Sequence, residues 1–167
     1  SLRPDESTNC PAATCPVAPA KQLAALPVHW DNKDRPLVLM VTSRDTGRWV
    51  MPKGWLMDGK KPWRAAKIEA LEEAGAVGFV ADVAMGHYHY SKGLDGGRSV
   101  TCRVAVYPMI VSSLKRRWKE RKERKRRWFP LRKAAKLVDE TELTALLLKL
   151  AEEPDKLRSM QEIREAS

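Results

Sequence analysis

The chain has 167 residues, 43% of them hydrophobic and 31% charged, a composition and length that suit one globular domain burying about 70% of its unfolded surface. No run of about 18 apolar residues occurs and the start lacks a basic-then-apolar leader, so neither a membrane span nor a signal peptide is expected. Lys and Arg number 31 against 21 Asp and Glu, a net charge of +10. Residues 115–127, KRRWKERKERKRR, hold ten basic and two acidic residues and so carry +8 of that charge. Such a block suggests an anionic partner, whether nucleic acid, a membrane surface or polyphosphate.

Residues 1–20 are rich in Pro, Ala, Ser and Thr without periodicity and read as a mobile arm ahead of a domain spanning 21–153. Cys10 and Cys15 lie in CPAATCP, but no second Cys/His pair stands at zinc-finger spacing, so two ordinary thiols are the reading. Three cysteines cannot all pair, and a reducing cytoplasm is the expected compartment.

KQLAALPVHW and PLVLMVTS predict two strands, the second buried throughout; RDTG predicts a turn and RWVM a short returning strand. PKGWLMDGKKP predicts a loop. A helix is expected from Pro62, suited to a first helical position, to Gly75, suited to a C-terminal cap. Strands are expected in FVADVAMGHYHY and VTCRVAVYPMIV, joined by the turn-rich SKGLDGG. In the basic block, Glu120/Arg124 and Glu123/Arg127 stand at i,i+4 spacing, which predicts a short helix. RRWF predicts one more strand, with Trp128 buried. PLRKAAKLV and ETELTALLLKLAEE predict helices, the latter with Leu143, Leu146, Leu147 and Leu150 on one face, and residues 154–167 a frayed helical tail. This order gives an α/β chain with a mixed sheet and helices on its faces.

The predicted helix up to Gly75 concentrates negative charge in a basic protein. Glu69, Glu72 and Glu73 fall within an arc of about 100°, with Ala65 and Ala66 leaving that face uncrowded. Three carboxylates so close raise one another's pKa unless a cation sits among them. Hard oxygen ligands without nearby His or Cys suit Mg²⁺ or Mn²⁺, which bridge phosphate oxygens and activate water. On spacing alone, a solvated acidic surface is the alternative.

Residues 54–76, GWLMDGKKPWRAAKIEALEEAGA, resemble the Nudix box, G-x(5)-E-x(7)-R-E-U-x-E-E-x-G-U with U aliphatic. Gly54, Glu69, Ala70, Glu72, Glu73, Gly75 and Ala76 fall in register, while Lys60 stands at the first Glu and Ile68 at the Arg. The resemblance covers roughly residues 21–150. It implies an α/β/α sandwich around a loop–helix–loop, and Mg²⁺-dependent hydrolysis of a phosphoanhydride. It also implies that Gly54, Glu69 and Glu73 hold the metal and that Glu72 binds metal or acts as general base, members of the family differing in which residue is the base.

Within that family, RWVMPKG, VTSR and RKRRWF resemble segments of diphosphoinositol polyphosphate phosphohydrolases, while PKG also occurs in enzymes that cut diadenosine polyphosphates. A polyanionic substrate needs several separate cations, and Arg44, Arg48, Lys53, Lys60, Lys61, Arg103, Arg124 and Arg126 are the candidates. Lys92 and Arg98 could reach phosphate from across the cleft, or be solvated. Arg103, inside an apolar strand, calls for a carboxylate or an anionic ligand. A reading from another class keeps the fold but not the reaction: a non-catalytic domain binding RNA or polyphosphate through residues 115–127, for which Lys60 and Ile68 argue. Aromatics among cations, such as Trp118, can stack on bases.

Overall fold

The computed structural model describes residues 18–153 and 155–166. The first part contains β1 (Ala20–Trp30), β2 (Pro36–Thr42), β3 (Trp49–Val50), β4 (Lys53–Trp55), α1 (Pro62–Ala74), β5 (Ala76–Val80) and β6 (Gly86–Gly93). After a single turn at Asp95–Gly97 come β7 (Ser99–Leu114), β8 (Arg126–Pro130), α2 (Leu131–Leu137), α3 (Thr141–Glu152) and α4 (Asp155–Ala166). Cys10, Cys15 and most of the expected arm lie outside the described residues, and Ala20 already belongs to β1.

At the centre, β1 and β7 run parallel, in register from Ala20 opposite Cys102 to Val28 opposite Ile110. Each long strand serves two neighbours in succession along its other edge. β1 pairs antiparallel with β4 and then β2, and β7 with β6 and then β5, while β8 and β3 add to β2.

The central strands have no polar face, because helices cover both sides. Ala24, Leu26, Val38, Met40, Val104 and Val106 join Leu143, Leu147 and Leu150 of α3 in one core. Their neighbours Leu23, Ala25, Leu39, Val41 and Met109 join Ala65, Ala66, Ala70 and Ala74 of α1 in the other. Successive residues of a strand point to opposite faces, so a continuous apolar run fills both cores, and the sandwich is α/β/α. Apart from Glu73, the buried residues of α1 are alanines, whose small side chains let a helix backbone lie close to the strands beneath. Its bounds follow the sequence: Pro62 opens it and Gly75 closes it in the left-handed region, at φ 65°.

The structure departs from expectation in three places. FVADVAMGHYHY is two strands rather than one, and the first begins at Ala76, directly behind the helix cap. The loop PKGWLMDGKKP contains β4, whose pairing to β1 fixes Gly54. The basic block forms no helix: residues 115–125 run as successive turns, because their backbone groups bond to α1 and to one another instead of building a ladder. Of its two i,i+4 pairs, Glu120–Arg124 forms, at 2.7 Å, whereas Glu123 turns to Arg44 at 3.0 Å.

Candidate active site

A cavity of about 250 Å³ opens where α1, β4, the turn after β2, β6 and the basic segment converge. Glu69 and Glu73, one helical turn apart on α1, form its acidic wall. Gly54 packs against the first of them so closely that a Cβ there would lie 2.1 Å from Oε2 of Glu69. The backbone N–H of Lys53 donates to Oε1 of Glu73 at 3.4 Å. Glu73 is only 6% exposed, and burial pushes its carboxyl up to about 8. Burial, and then the charge of Glu72, raise Glu69 as well. Burial is the main cause of both shifts, so both carboxyls have lost solvation that a bound cation would replace.

Cations face this wall. Lys53 is held down by burial, with its ammonium 5.0 Å from the Tyr90 ring centroid. Arg124 is the most constrained. Its Nε donates to Glu120 at 2.7 Å, one terminal nitrogen donates to the Thr42 carbonyl at 3.0 Å, and the other stands 3.7 Å from Glu73. Arg44, Lys92, Gln22 and Trp55 complete the walls used below. The donors suit a hard divalent cation: carboxylate oxygens, with no His or Cys among the lining residues. Among the described residues no three His, Cys, Asp or Glu side chains already converge as a ready-made set. The guanidinium of Arg124 stands beside Glu73, and Glu72 leans outward, 3.7 Å from Lys119.

The basic segment completes the end of α1. A helix leaves its last carbonyls without intrahelical partners. Here the carbonyl of Glu72 accepts from the Glu120 N–H at 3.0 Å and that of Gly75 from the Lys115 N–H at 2.8 Å. The Glu73 carbonyl accepts from the Trp118 indole at 3.0 Å, and the Ala74 carbonyl from Arg126 at 2.7 Å. Arg126 also lies 3.9 Å from the Trp118 ring centroid. Positive charge at a helix C-terminus is favourable in itself.

The candidates named from sequence therefore divide. Glu69, Glu73, Gly54, Arg44, Lys53, Arg124 and Lys92 line the cavity. Arg48 does not: it bridges to Glu140 at 2.8 Å and Asp139 at 3.5 Å, tying the strand entry to the start of α3. Lys60 and Lys61 are exposed outside the lining, and Arg126 caps α1. Arg103 is exposed rather than buried, so its charge needs no compensation, and it borders a separate cavity with Lys21 and His87. His89 is taken by Glu142 at 3.0 Å. Trp128 is partly buried, against the α1 core. Glu120, Gln22, Tyr90 and Trp55 were missed. Glu120 carried a signal, its spacing to Arg124, but that spacing was read as helical.

Comparison with known proteins agrees with this architecture. Residues 20–150 match the NUDIX domain family. Over 131 residues the chain is 30% identical to Nudix hydrolase 12, mitochondrial, of Arabidopsis thaliana, covering 75% of this chain and 64% of that one. It is 28% identical over 120 residues to human diphosphoinositol polyphosphate phosphohydrolase 3-alpha, covering 71% and 68%. A C. elegans Ap4A hydrolase structure, a binary complex, shares the fold with a TM-score of 0.61 at 19% identity, over 82% of this chain and 98% of that one. The chain spans 64% and 56% of the lengths of two Arabidopsis relatives, Nudix hydrolases 12 and 13. With the family match running from β1 to the end of α3 and enclosing every wall of the cavity, the chain belongs to the Nudix family.

Proposed function

We propose that this chain hydrolyses a phosphoanhydride bond in a small, highly phosphorylated molecule, a diphosphoinositol polyphosphate or a diadenosine polyphosphate, with Mg²⁺ or Mn²⁺ as cofactor. The observation that carries the reading is the division of one cavity into an acidic wall, Glu69 and Glu73, and a basic one, Lys53, Arg44, Lys92 and Arg124. Glu69 and Glu73 would hold the cation, with Glu120 and Glu72 the nearest further carboxylates. When bound, such a cation neutralises phosphate oxygens and makes a water acidic enough to attack.

The side chains do the rest. Lys53 and Arg44 bind phosphate oxygens, Arg44 through a planar fork that suits them. Gly54 keeps the space beside Glu69 open. Arg124 fixes Glu120 and screens Glu73 from the full repulsion of its neighbours. One of the glutamates of α1 would accept the proton that water releases on attack. Four cationic side chains share the cavity with four carboxylates, Asp45, Glu69, Glu73 and Glu120, so the preference for several phosphates over a sugar nucleotide rests on a divalent cation occupying the carboxylates.

The test is chromatographic quantification of the products formed from diphosphoinositol polyphosphates, diadenosine polyphosphates and ADP-ribose, with Mg²⁺ or with EDTA, for the wild type and Glu73→Gln. Metal-dependent turnover that prefers a polyphosphate and is lost in the variant is the expected result. A preference for ADP-ribose would remove the charge argument, and wild-type turnover in Glu73→Gln would remove the site assignment. No turnover on any substrate, with binding retained, would favour the non-catalytic reading, which Lys60 and Ile68 and the Arg124 guanidinium beside Glu73 support.

A further inference from the structure

The cap on α1 uses Trp118, Glu120, Arg126 and backbone N–H groups, but it leaves three arginines of the same segment without a task. Arg116, Arg117 and Arg121 alone line an open cavity of about 350 Å³ on the outer side of the turns. None of the three forms an ion pair among the described residues, whereas Arg44, Lys119 and Arg124 nearby all do. The charge of Arg121 reaches Arg126, where it adds to burial in lowering the pKa.

The arginines do not sit on a loose loop. Lys115 and Glu120 are pinned by backbone bonds to Gly75 and Glu72, and the Arg121 N–H donates to the Trp118 carbonyl at 3.2 Å. Three like charges are thus held together on a fixed frame, an arrangement that costs free energy until an anion enters. Guanidinium groups grip phosphate through two nitrogens at once, and fixed placement lowers the entropy lost on binding.

The surroundings select among anions. The Trp118 ring lies against Arg126 and against the Gly75 backbone, where a Cβ would come within 3.1 Å of it, and its N–H is used by Glu73. Those contacts occupy part of the ring and its N–H, while the rest borders an adjoining open cavity with Arg117, Lys119, Arg121 and Lys122, so base stacking is the competing outcome that the oligothymidylate arm tests. The exposed large apolar side chains are Trp55, Leu56, Leu71, Val83, Leu94 and Leu148, none of them in residues 115–125, so nothing there inserts into a lipid surface.

We propose that Arg116, Arg117 and Arg121 form a second binding site, outside the carboxylate cavity, for a free polyphosphate group presenting several neighbouring phosphates. The site stands whether or not the chain is a hydrolase. It is tested in EDTA, which stops metal-dependent turnover, by calorimetric titration of inorganic tripolyphosphate into the full chain at low and moderate salt. Arg116→Gln/Arg117→Gln/Arg121→Gln is compared with Arg132→Gln/Lys133→Gln/Lys136→Gln, which removes the same charge from the exposed face of α2. Loss of charge-assisted contacts should weaken binding by roughly tenfold or more in the first variant and flatten its salt dependence, with little change in the second. Equal losses in both variants, or none in the first, overturn the proposal. So does tighter binding of a short oligothymidylate than of tripolyphosphate at the same arginines. If the triple variant melts early, the single variants decide, and unchanged affinity in all three of them also overturns it.

Discussion

Gly54→Ala adds one methyl group at the closest approach between the loop strand and the acidic helix. That methyl would stand 2.1 Å from Oε2 and 2.4 Å from Cδ of Glu69, where ordinary contact begins at 3.4 Å. The Glu69 carboxylate therefore has to retreat by more than an ångström. The retreat is cheap in stability, because the displaced atoms end a flexible side chain and Gly54 has no left-handed backbone angle to lose. It is expensive in function, because a misplacement of about 1 Å in a reacting assembly can cost about 100-fold in rate. The expected outcome is a fall in kcat/KM of about 100-fold under saturating Mg²⁺ with a nearly unchanged thermal midpoint. Gly59→Ala is the converse control. Nothing lies within 4 Å of its new Cβ, but φ is +73°, so stability should fall by about 1 kcal/mol with activity kept. Product formation from the preferred substrate and thermal unfolding, measured on both variants, check the pair. Gly54→Ala activity within threefold of the wild type would refute the placement of Glu69 at the chemistry.

Three further outcomes follow from contacts described above. With divalent cations removed, the folded chain keeps a proton on Glu73 up to about pH 8, while the unfolded chain releases it near 4.5. Stability should therefore decline as pH rises from about 5 to 8; Glu73→Gln should flatten that decline, and thermal midpoints across a pH series show whether it does. Trp118→Phe removes the indole donor from the Glu73 carbonyl, and a loss of about 1 kcal/mol, or about 3 °C in midpoint, is expected by thermal unfolding. Arg48→Met strands the Glu140 carboxylate, whose side chain is 9% exposed, and should cost about 2 kcal/mol in denaturant unfolding while kcat/KM stays within a few-fold.

Local chemistry was legible where it was decided locally. The unbroken apolar run of PLVLMVT announced a strand covered on both faces, and Pro62 and Gly75 marked the ends of α1 to the residue. The glutamates of α1 were legible as a charge that needed compensation, and Glu69 and Glu73 do share a wall. What failed was non-local. Glu120 and Arg124 have helical spacing, but the N–H of Glu120 is claimed by a carbonyl 48 positions earlier in the chain, at Glu72. Spacing within a segment says nothing about a competing acceptor elsewhere. Arg48 likewise reads as a phosphate ligand beside Arg44 until the fold brings Glu140 to it. Surplus charge in a sequence thus has three uses here: four cations line the cavity, from β4, β6, the turn after β2 and the basic segment, others cap a helix, and others tie loops together.

The four bonds that finish α1 also bear on how the chain meets a protease. Residues 115–127 offer ten Lys and Arg, the densest run of trypsin sites in the sequence. Cleavage needs a segment that can be drawn out into an extended strand in the enzyme's cleft, and this one is anchored at Glu72 and Gly75 by the N–H groups of Glu120 and Lys115, and at Glu73 and Ala74 by the side chains of Trp118 and Arg126. Drawing it out means breaking the bonds that cap the helix carrying Glu73. The cutting rate of the stretch that composition marks as most cleavable should thus report how often that cap opens.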